Sequence, residues 1–282
     1  ACTKGNTEVV ALLLINGAAV NQAGKNGTTP LHLACTQGHT EVASLLLTNG
    51  VEVNQADNRG GTPLLMACTK GHTEVTSLLL TTGAAVDQSS DCGVTALAMA
   101  CRESNLSCVQ LLSSYGASRT FTLQRHTAIL EMTAEQTAEH SGHDEVFAWL
   151  TTSRLWSTPL HHLTIIGATR ARELLRGGAD LHAAAIADGP TPLSLAHDLD
   201  TAGNAAEGTA AHLVLRAAGP WSEQTHELFP VGARARAVEL LLLGYRLSRQ
   251  ECFVGQEMAF FDAWMHYVMP CAVRDDDTDT SE

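Results

Sequence analysis

The sequence predicts an all-α solenoid: short helix-turn-helix units with extended fingers, closed by a helical C-terminal cap. Three observations predict it. Residues 29–42, TPLHLACTQGHTEV, return 33 positions later as residues 62–75, TPLLMACTKGHTEV, and more loosely at Thr95-Ala96-Leu97. Ala-Cys pairs keep the same step at Cys2, Cys35, Cys68 and Cys101. Two glycine series keep it too, Gly27, Gly60 and Gly93, and Gly17, Gly50, Gly83 and Gly116. Self-similarity at a period of about 20–50 residues is the mark of a repeat array.

Each element of one unit has a local cause. Asn26-Gly27 is a turn signal, because glycine allows positive φ. Thr29 is placed to cap a helix through its hydroxyl, and Pro30 suits the first helical position. Leu31, Ala34 and Cys35 then share one helical face. Gly38 ends that helix, His39-Thr40-Glu41 restarts the chain, and Val42, Leu45 and Leu46 form a second apolar stripe. Gly50 sits where a left-handed C-cap is wanted. The stretch Val53 to Asp57 is too short for a helix and leads out to the next turn. Neither helix exceeds about three turns, so each is marginal alone. Stacking must supply the missing burial.

The unit GTTPLHLACTQGHTEVASLLLTNGVEVNQAD and its successor at Gly60 closely resemble the ankyrin repeat. The resemblance rests on the Thr-Pro-Leu-His start, Gly-His at the inter-helix turn and the Gly-x-x-Val-Asn exit. It implies an L-shaped stack of helix pairs with projecting fingers and a concave binding face.

The array fades along the chain. Residues 1–26 read as the back half of a unit, in which Val9, Leu12 and Leu13 lack a neighbour on one side, so more repeat sequence is expected upstream. The unit from Gly93 departs from the pattern at Ala96, at Ser104-Asn105 and at Cys108. After Gly116 the phase breaks: Gly142-His143 follows Gly71-His72 by 71 residues, about five more than two steps. A unit from Thr133 to Leu150 lacks a finger, because Thr158-Pro159-Leu160-His161 follows directly. Thr191-Pro192-Leu193 then restores the 33-residue step. A final divergent unit ends in Ala210 to Ala218. The expected organisation is near-consensus repeats over 1–119, divergent repeats with insertions over 120–218, a helical cap over 219–273 and a disordered acidic tail over 274–282. Within the cap, helices are expected from Trp221 to Phe229, over GARARAVELLLLGYRL and from Gln256 to Val273. The segment 219–282 looks like the tails of ankyrin-repeat proteins of unicellular eukaryotes, which implies no activity.

Composition narrows the function. Residues 1–120 carry 6 Lys/Arg and 8 Asp/Glu, and residues 121–282 carry the remaining 11 and 22. An acidic chain with no basic stripe is poorly suited to a phosphate backbone, so no nucleic-acid partner is expected. No apolar run is long enough for a membrane span. The cysteines read as reduced, small core residues rather than metal ligands or disulfides, which suits a reducing, intracellular and cytoplasmic setting. The 13 histidines invite a search for chemistry. His32 and His161 occupy the Thr-Pro-Leu-His position, where an imidazole ordinarily bonds backbone. His39, His72 and His143 sit at inter-helix turns with the same reading. His140 and His143 have helical spacing but no third ligand. His161 and His162 point about 100° apart on a helix and cannot chelate one ion together. No nucleophile elbow, phosphate loop, dinucleotide fingerprint or zinc-protease motif occurs. No catalytic residue, metal or cofactor is therefore expected.

The expected function is protein recognition by a monomer. The resemblance implies that partners contact the finger tips and the exposed face of the first helices. Carried over position by position, those residues are Lys25, Asn26, Thr36 and Gln37, then Asn58, Arg59, Thr69 and Lys70, then Asp91, Cys92, Arg102 and Glu103. Their basic members suit an acidic segment of a protein partner. In an alternative reading, Phe260, Trp264 and Tyr267 form a second docking site, making the chain an adaptor that joins a target to a larger machine such as a ubiquitin ligase. Asn21 and Asn54 also resemble ankyrin asparagines hydroxylated by a 2-oxoglutarate oxygenase, with this chain as substrate.

Overall fold

The computed structural model describes residues 1–125, 128–219, 222, 224–248, 259, 264, 265 and 269, which fall in two compact units, 1–155 and 156–282. In the first unit a 3-10 turn, Cys2–Lys4, precedes α1 (Thr7–Ile15). Three helix pairs follow: α2 (Pro30–Gln37) with α3 (Thr40–Thr48), α4 (Pro63–Lys70) with α5 (Thr73–Thr81), and α6 (Ala96–Arg102) with α7 (Leu106–Ser114). Strands β1 (Thr120–Arg125) and β2 (Ala128–Thr133) come next, then α8 (Ala134–His140) and α9 (Asp144–Thr152).

The helices begin and end where their chemistry says they should. The hydroxyls of Thr29, Thr62, Thr95 and Thr133 each accept the backbone N–H three residues on, satisfying an otherwise orphaned donor. Pro30 and Pro63 occupy the first helical turn, where a missing N–H costs nothing. Gly38 and Gly71 end α2 and α4 in left-handed conformation. Ser104 holds the equivalent place after α6 at φ +58°, a backbone state that ordinarily needs glycine.

Packing repeats with the sequence. The first helices α2, α4, α6 and α8 pack in series, and the second helices α1, α3, α5, α7 and α9 form a parallel series. Leu31, Leu64 and Leu97 are sealed in one row, and Leu46, Leu79 and Leu112 in another. Each such side chain contributes about 1.5–3 kcal/mol of burial, far more than a lone short helix can supply. The small rows Ala34, Ala67 and Ala100, and Cys35, Cys68 and Cys101, let successive helices approach closely. Burial pushes the Cys35 and Cys101 thiols up to about 12, and pushes Cys68 up as well, so they stay protonated as small apolar groups. On α1, Val9, Leu12, Leu13 and Ile15 are exposed.

The region after Gly116 departs from an all-helical reading. The sequence suggests an insertion there, and the structure makes it a β-hairpin. β1 and β2 pair antiparallel, with Phe121 opposite Met132 and Leu123 opposite Leu130. The alternation of Thr120-Phe121-Thr122-Leu123-Gln124 puts apolar side chains on one face and polar ones on the other. Arg119 ties the base of this hairpin to the end of α9. Its guanidinium donates to Leu150 O (2.8 Å), to Ser153 O (2.9 Å) and Oγ (2.8 Å), and pairs with Glu135.

The second unit has α10 (Ala168–Arg176), α11 (Pro192–Thr201), α12 (Ala210–Ala218) and α13 (Val231–Ser248). α12 packs on both α10 and α11 around Leu175, Ala196, Leu213 and Val214. Pro159–His161 is a 3-10 turn rather than the expected helix, and His162 already lies beyond it. His161 closes the Thr158 capping box, as His32 closes that of Thr29 at the start of α2. Of the helix expected from Trp221 to Phe229, Trp221 and Glu223 lie outside the described residues, and the described ones hold a 3-10 turn at His226–Leu228, with Pro230 following. Trp264 donates from Nε1 to Leu240 O (3.0 Å) and packs with Ala233, Ala237 and Met269. Most of the helix expected from Gln256 to Val273, including Phe260 and Tyr267, lies outside the described residues, as does the acidic tail over 274–282.

Glycine substitutions can separate backbone strain from crowding. Gly60 has φ +73°, and a Cβ there would lie 2.5 Å from Asp91 N, whereas Gly50 has φ +78° and open space. Gly50→Ala should cost about 1–2 kcal/mol from strain alone. Gly60→Ala should cost more, and should lower the urea unfolding midpoint further than Gly50→Ala does. Equal midpoints would show that the tip does not need its close approach to the next finger.

Candidate partner-binding face

The finger tips form a ladder with one bond per step. Asn58 N–H donates to Asn26 O (3.0 Å), Asp91 N–H to Arg59 O (3.0 Å) and Gln124 N–H to Cys92 O (2.9 Å). The third rung lands on β1, so the hairpin takes the place of the fourth finger. The Asn58 amide adds a bond to Lys25 O (3.1 Å). These bonds fix the tips as a series, and hold the side chains of Lys25, Asn26, Arg59, Asp91 and Cys92 out toward solvent.

A second set of bonds runs between the first helices. His32 Nδ1 accepts Thr29 N–H (3.2 Å), which leaves the proton on Nε2, donated to Gly61 O (2.9 Å) in the next unit. Burial holds the His32 pKa below its ordinary value of 6.5, against the opposing pull of the Gly61 carbonyl and of Asp57. His161 repeats the arrangement, with Nε2 on Pro190 O (3.1 Å). The inter-helix turns reach the other way. His39 Nε2 donates to Thr3 O, His72 Nε2 to Thr36 O and His143 Nε2 to Arg102 O. Asn105 does the same with its amide on Cys68 O (2.8 Å). A third set links the exits: Asn21 Oδ1 accepts Glu52 N–H (2.8 Å), Asn54 Oδ1 accepts Ala85 N–H (2.8 Å), and Asp87 Oδ1 accepts Ser118 N–H (2.8 Å).

The positions named as partner-binding divide by exposure. Gln37, Lys70, Arg102 and Glu103 are exposed at the ends of the first helices. Thr36 and Thr69 are half-buried, and their hydroxyls donate to the carbonyls of His32 and Leu65 in their own helices (2.7 Å each). Arg102 is paired with the adjacent Glu103 (2.9 Å), an exposed contact worth little on its own. Arg59, Lys70 and Lys25 are further exposed cations of this face. Cys92 and Arg102 meet at a groove of about 520 Å³ that the sequence reading missed. Its other walls are Met99, the apolar hairpin face of Phe121, Leu123, Leu130 and Met132, and Thr137 and His140 of α8. The signal lies in the two-residue alternation of Thr120–Gln124, which the dominant 33-residue step masks.

Among the described residues no group of three or more His, Cys, Asp or Glu side chains is placed to hold a metal ion. Among them, too, no helix is long and apolar enough to cross a membrane. The histidine bonds carry a pH signature. Because the His32 pKa is lowered in the fold, the unfolded chain takes up the proton first, and stability falls as pH drops below about 6.5. The urea midpoint of the wild type should therefore decrease from pH 7.5 to pH 5.5. His32→Gln should lose about 1–3 kcal/mol at the higher pH, where a buried bond network is broken, and show a flatter pH dependence. An unchanged slope would remove His32 as the sensor.

No curated protein matches the chain. Residues 1–57 and 49–122 match the family model described as ankyrin repeats (3 copies). Ankyrin repeats are generally protein–protein interaction modules and are typically not enzymes. The phased caps, the helix pairs and the finger ladder give that match its physical content: residues 1–122 carry ankyrin repeats.

Proposed function

We propose that the first unit is a protein-recognition module that holds its partner on the finger tips and the exposed ends of the first helices. The observation that carries this reading is the ladder itself. It fixes Lys25, Asn26, Asn58, Arg59, Asp91 and Cys92 as one rigid series of exposed side chains. Pre-organised side chains lose less freedom on binding, so such a surface is suited to contact. The exposed Lys25, Arg59 and Lys70, with Arg102 beside its ion pair, favour a partner with an acidic segment. A cytoplasmic monomer fits this role.

For residues 219–273 the contacts support a cap more than a second docking site. Trp264 already spends its indole N–H on Leu240 O, and its ring lies so close to Gly244 that no larger residue would fit there. Half-buried anchors of this kind help to close a unit against solvent, as terminal elements of an array must. The adaptor reading, with Phe260, Trp264 and Tyr267 as the docking surface, has less support from these contacts.

Capture of partners on the purified chain, compared with a Lys25, Arg59, Lys70 and Arg102 to Ala variant, tests the reading. Exposed changes should each alter stability by only about 0.5 kcal/mol, so both proteins should be folded. The variant should lose specific partners seen with the wild type. Identical captures would assign these cations to solvent. The exit asparagines support a smaller reading as hydroxylation substrates. Asn21 and Asn54 are half-buried bridges between neighbouring units, so modification requires an exit to open locally. Incubation with an asparaginyl 2-oxoglutarate oxygenase should add one oxygen atom at each site, and an unchanged intact mass would exclude it.

A further inference from the structure

The finger ladder runs out of partners on β2. The parity of the hairpin identifies which groups are left over. Gln124 N–H points away from β2, because it donates to Cys92 O. Ala134 N–H donates to Arg119 O (2.8 Å), one step beyond the register pair of Thr120 with Thr133. In an antiparallel pair, bonded and non-bonded positions alternate. Gln124–Ile129, Thr122–Glu131 and Thr120–Thr133 are therefore the non-bonded pairs, and on β2 the main-chain groups of Ile129, Glu131 and Thr133 point outward. Thr133 is satisfied: its N–H donates to Gln136 Oε1 and its carbonyl accepts the Thr137 hydroxyl. Among the described residues, the N–H and C=O of Ile129 and Glu131 have no partner. The five residues after α9, Ser153–Ser157, hold a 3-10 turn at Ser153–Leu155 and supply no further finger.

We propose that this edge takes an extended segment of a partner protein as an added strand, with a basic residue opposite Glu131 and an apolar residue turned into the groove beside Leu130. The inference rests on the reading of this unit as a protein-binding module and adds the partner's conformation and sequence pattern. Three observations support it. The edge continues a ladder that already joins each extended finger to the next, so one more strand extends an existing interface. The pleat sends the partner residue flanked by the two bonded positions toward the groove of about 520 Å³, where Leu130 is 51% exposed. The residues opposite Ile129 and Glu131 instead lie on the outer face, where Glu131 calls for a counter-charge. Natural sheets blunt free edges with lysine, proline or bulges, yet this one leaves Ile129 74% exposed. A second copy fits less well. Antiparallel self-pairing about Leu130 would set Glu131 against Ile129 and leave the carboxylate without a counter-charge.

The test uses short linear peptides displayed on phage and selected on the full chain, with the selected peptides then made synthetically. They should share an alternating pattern with Lys or Arg on one face and Val, Ile or Leu on the other. By NMR, amide exchange at Ile129 and Glu131 should be fast in the free protein and slow when peptide is bound. Ile129→Pro and Glu131→Pro each remove one outward N–H from an edge that tolerates proline, and should weaken binding about tenfold or more. Glu131→Lys, which alters no backbone group, should shift the preference from basic to acidic peptides. The proposal fails if no peptide is selected, if peptides bind without slowing those two amides, or if the proline variants bind as the wild type does. It also fails if the amides become protected in a concentration-dependent dimer without peptide, which assigns the edge to a second copy. Arg59→Ala and Lys70→Ala separate it from the finger-tip reading. Loss of binding in these alone leaves the tips as the site and removes the strand. Loss in the proline variants alone keeps the strand, and leaves the finger-tip reading to be judged by the capture of partners on the quadruple Ala variant.

Discussion

The first unit depends on one recurring constraint: a polar side chain in each repeat must find a backbone carbonyl in its neighbour. His39, His72, Asn105 and His143 all solve it in the same way, reaching back to the end of the preceding first helix. Those carbonyls are the ones a helix cannot satisfy for itself. The 33-residue step therefore has a chemical meaning beyond packing. It brings an orphan acceptor and a fixed donor together at every interface. The apolar rows Leu31–Leu64–Leu97 and Leu46–Leu79–Leu112 supply most of the free energy, but rows of leucine alone would allow sliding. The directional bonds set the register.

This division of labour explains which replacements the array tolerates. Asn105 stands where other units have histidine, and its amide still reaches Cys68 O and Thr69 O. Ser104 stands where they have glycine and takes up φ +58° without it. Thr76 takes a core position on α5, and its hydroxyl is satisfied by His72 O (2.9 Å) while it touches the sulfurs of Cys68 and Cys108. Asn105 keeps the bond, Ser104 keeps the backbone conformation, and the hydroxyl that Thr76 adds where α3 has Ala43 is satisfied within its own helix.

Most of the near-consensus part was legible in the sequence, because its signals are local and repeated. Thr29 and Pro30 foretell the start of α2, Gly38 its end, and the Thr-Pro-Leu-His histidine its backbone role. The hairpin was less legible for a definite reason: its signal has a period of two residues and occupies only about one finger, inside a chain whose dominant period is longer. Pro159–His161 misled in the opposite way. It carries the full start motif, yet the helix stops after one turn, because the capping histidine is followed by Leu163 and Ile166 turning into the core instead of an Ala-Cys pair. The candidate site divided similarly. Exposed tips followed from the repeat pattern, whereas the groove needed residues from α6, α8 and both strands brought together.

Arg119 carries a consequence for how the molecule transmits load. One guanidinium joins the start of β1, the carboxylate of Glu135 on α8 and the terminal carbonyls of α9. Positive charge at a helix C-terminus is favourable, so the attachment is strong as well as multiple. The hairpin is thus no pendant loop. Tension on it reaches the last helix pair along the chain, where β2 runs straight into α8, and across the fold, where Arg119 grips the end of α9, so the hairpin, α8 and α9 should open and close as one cooperative segment.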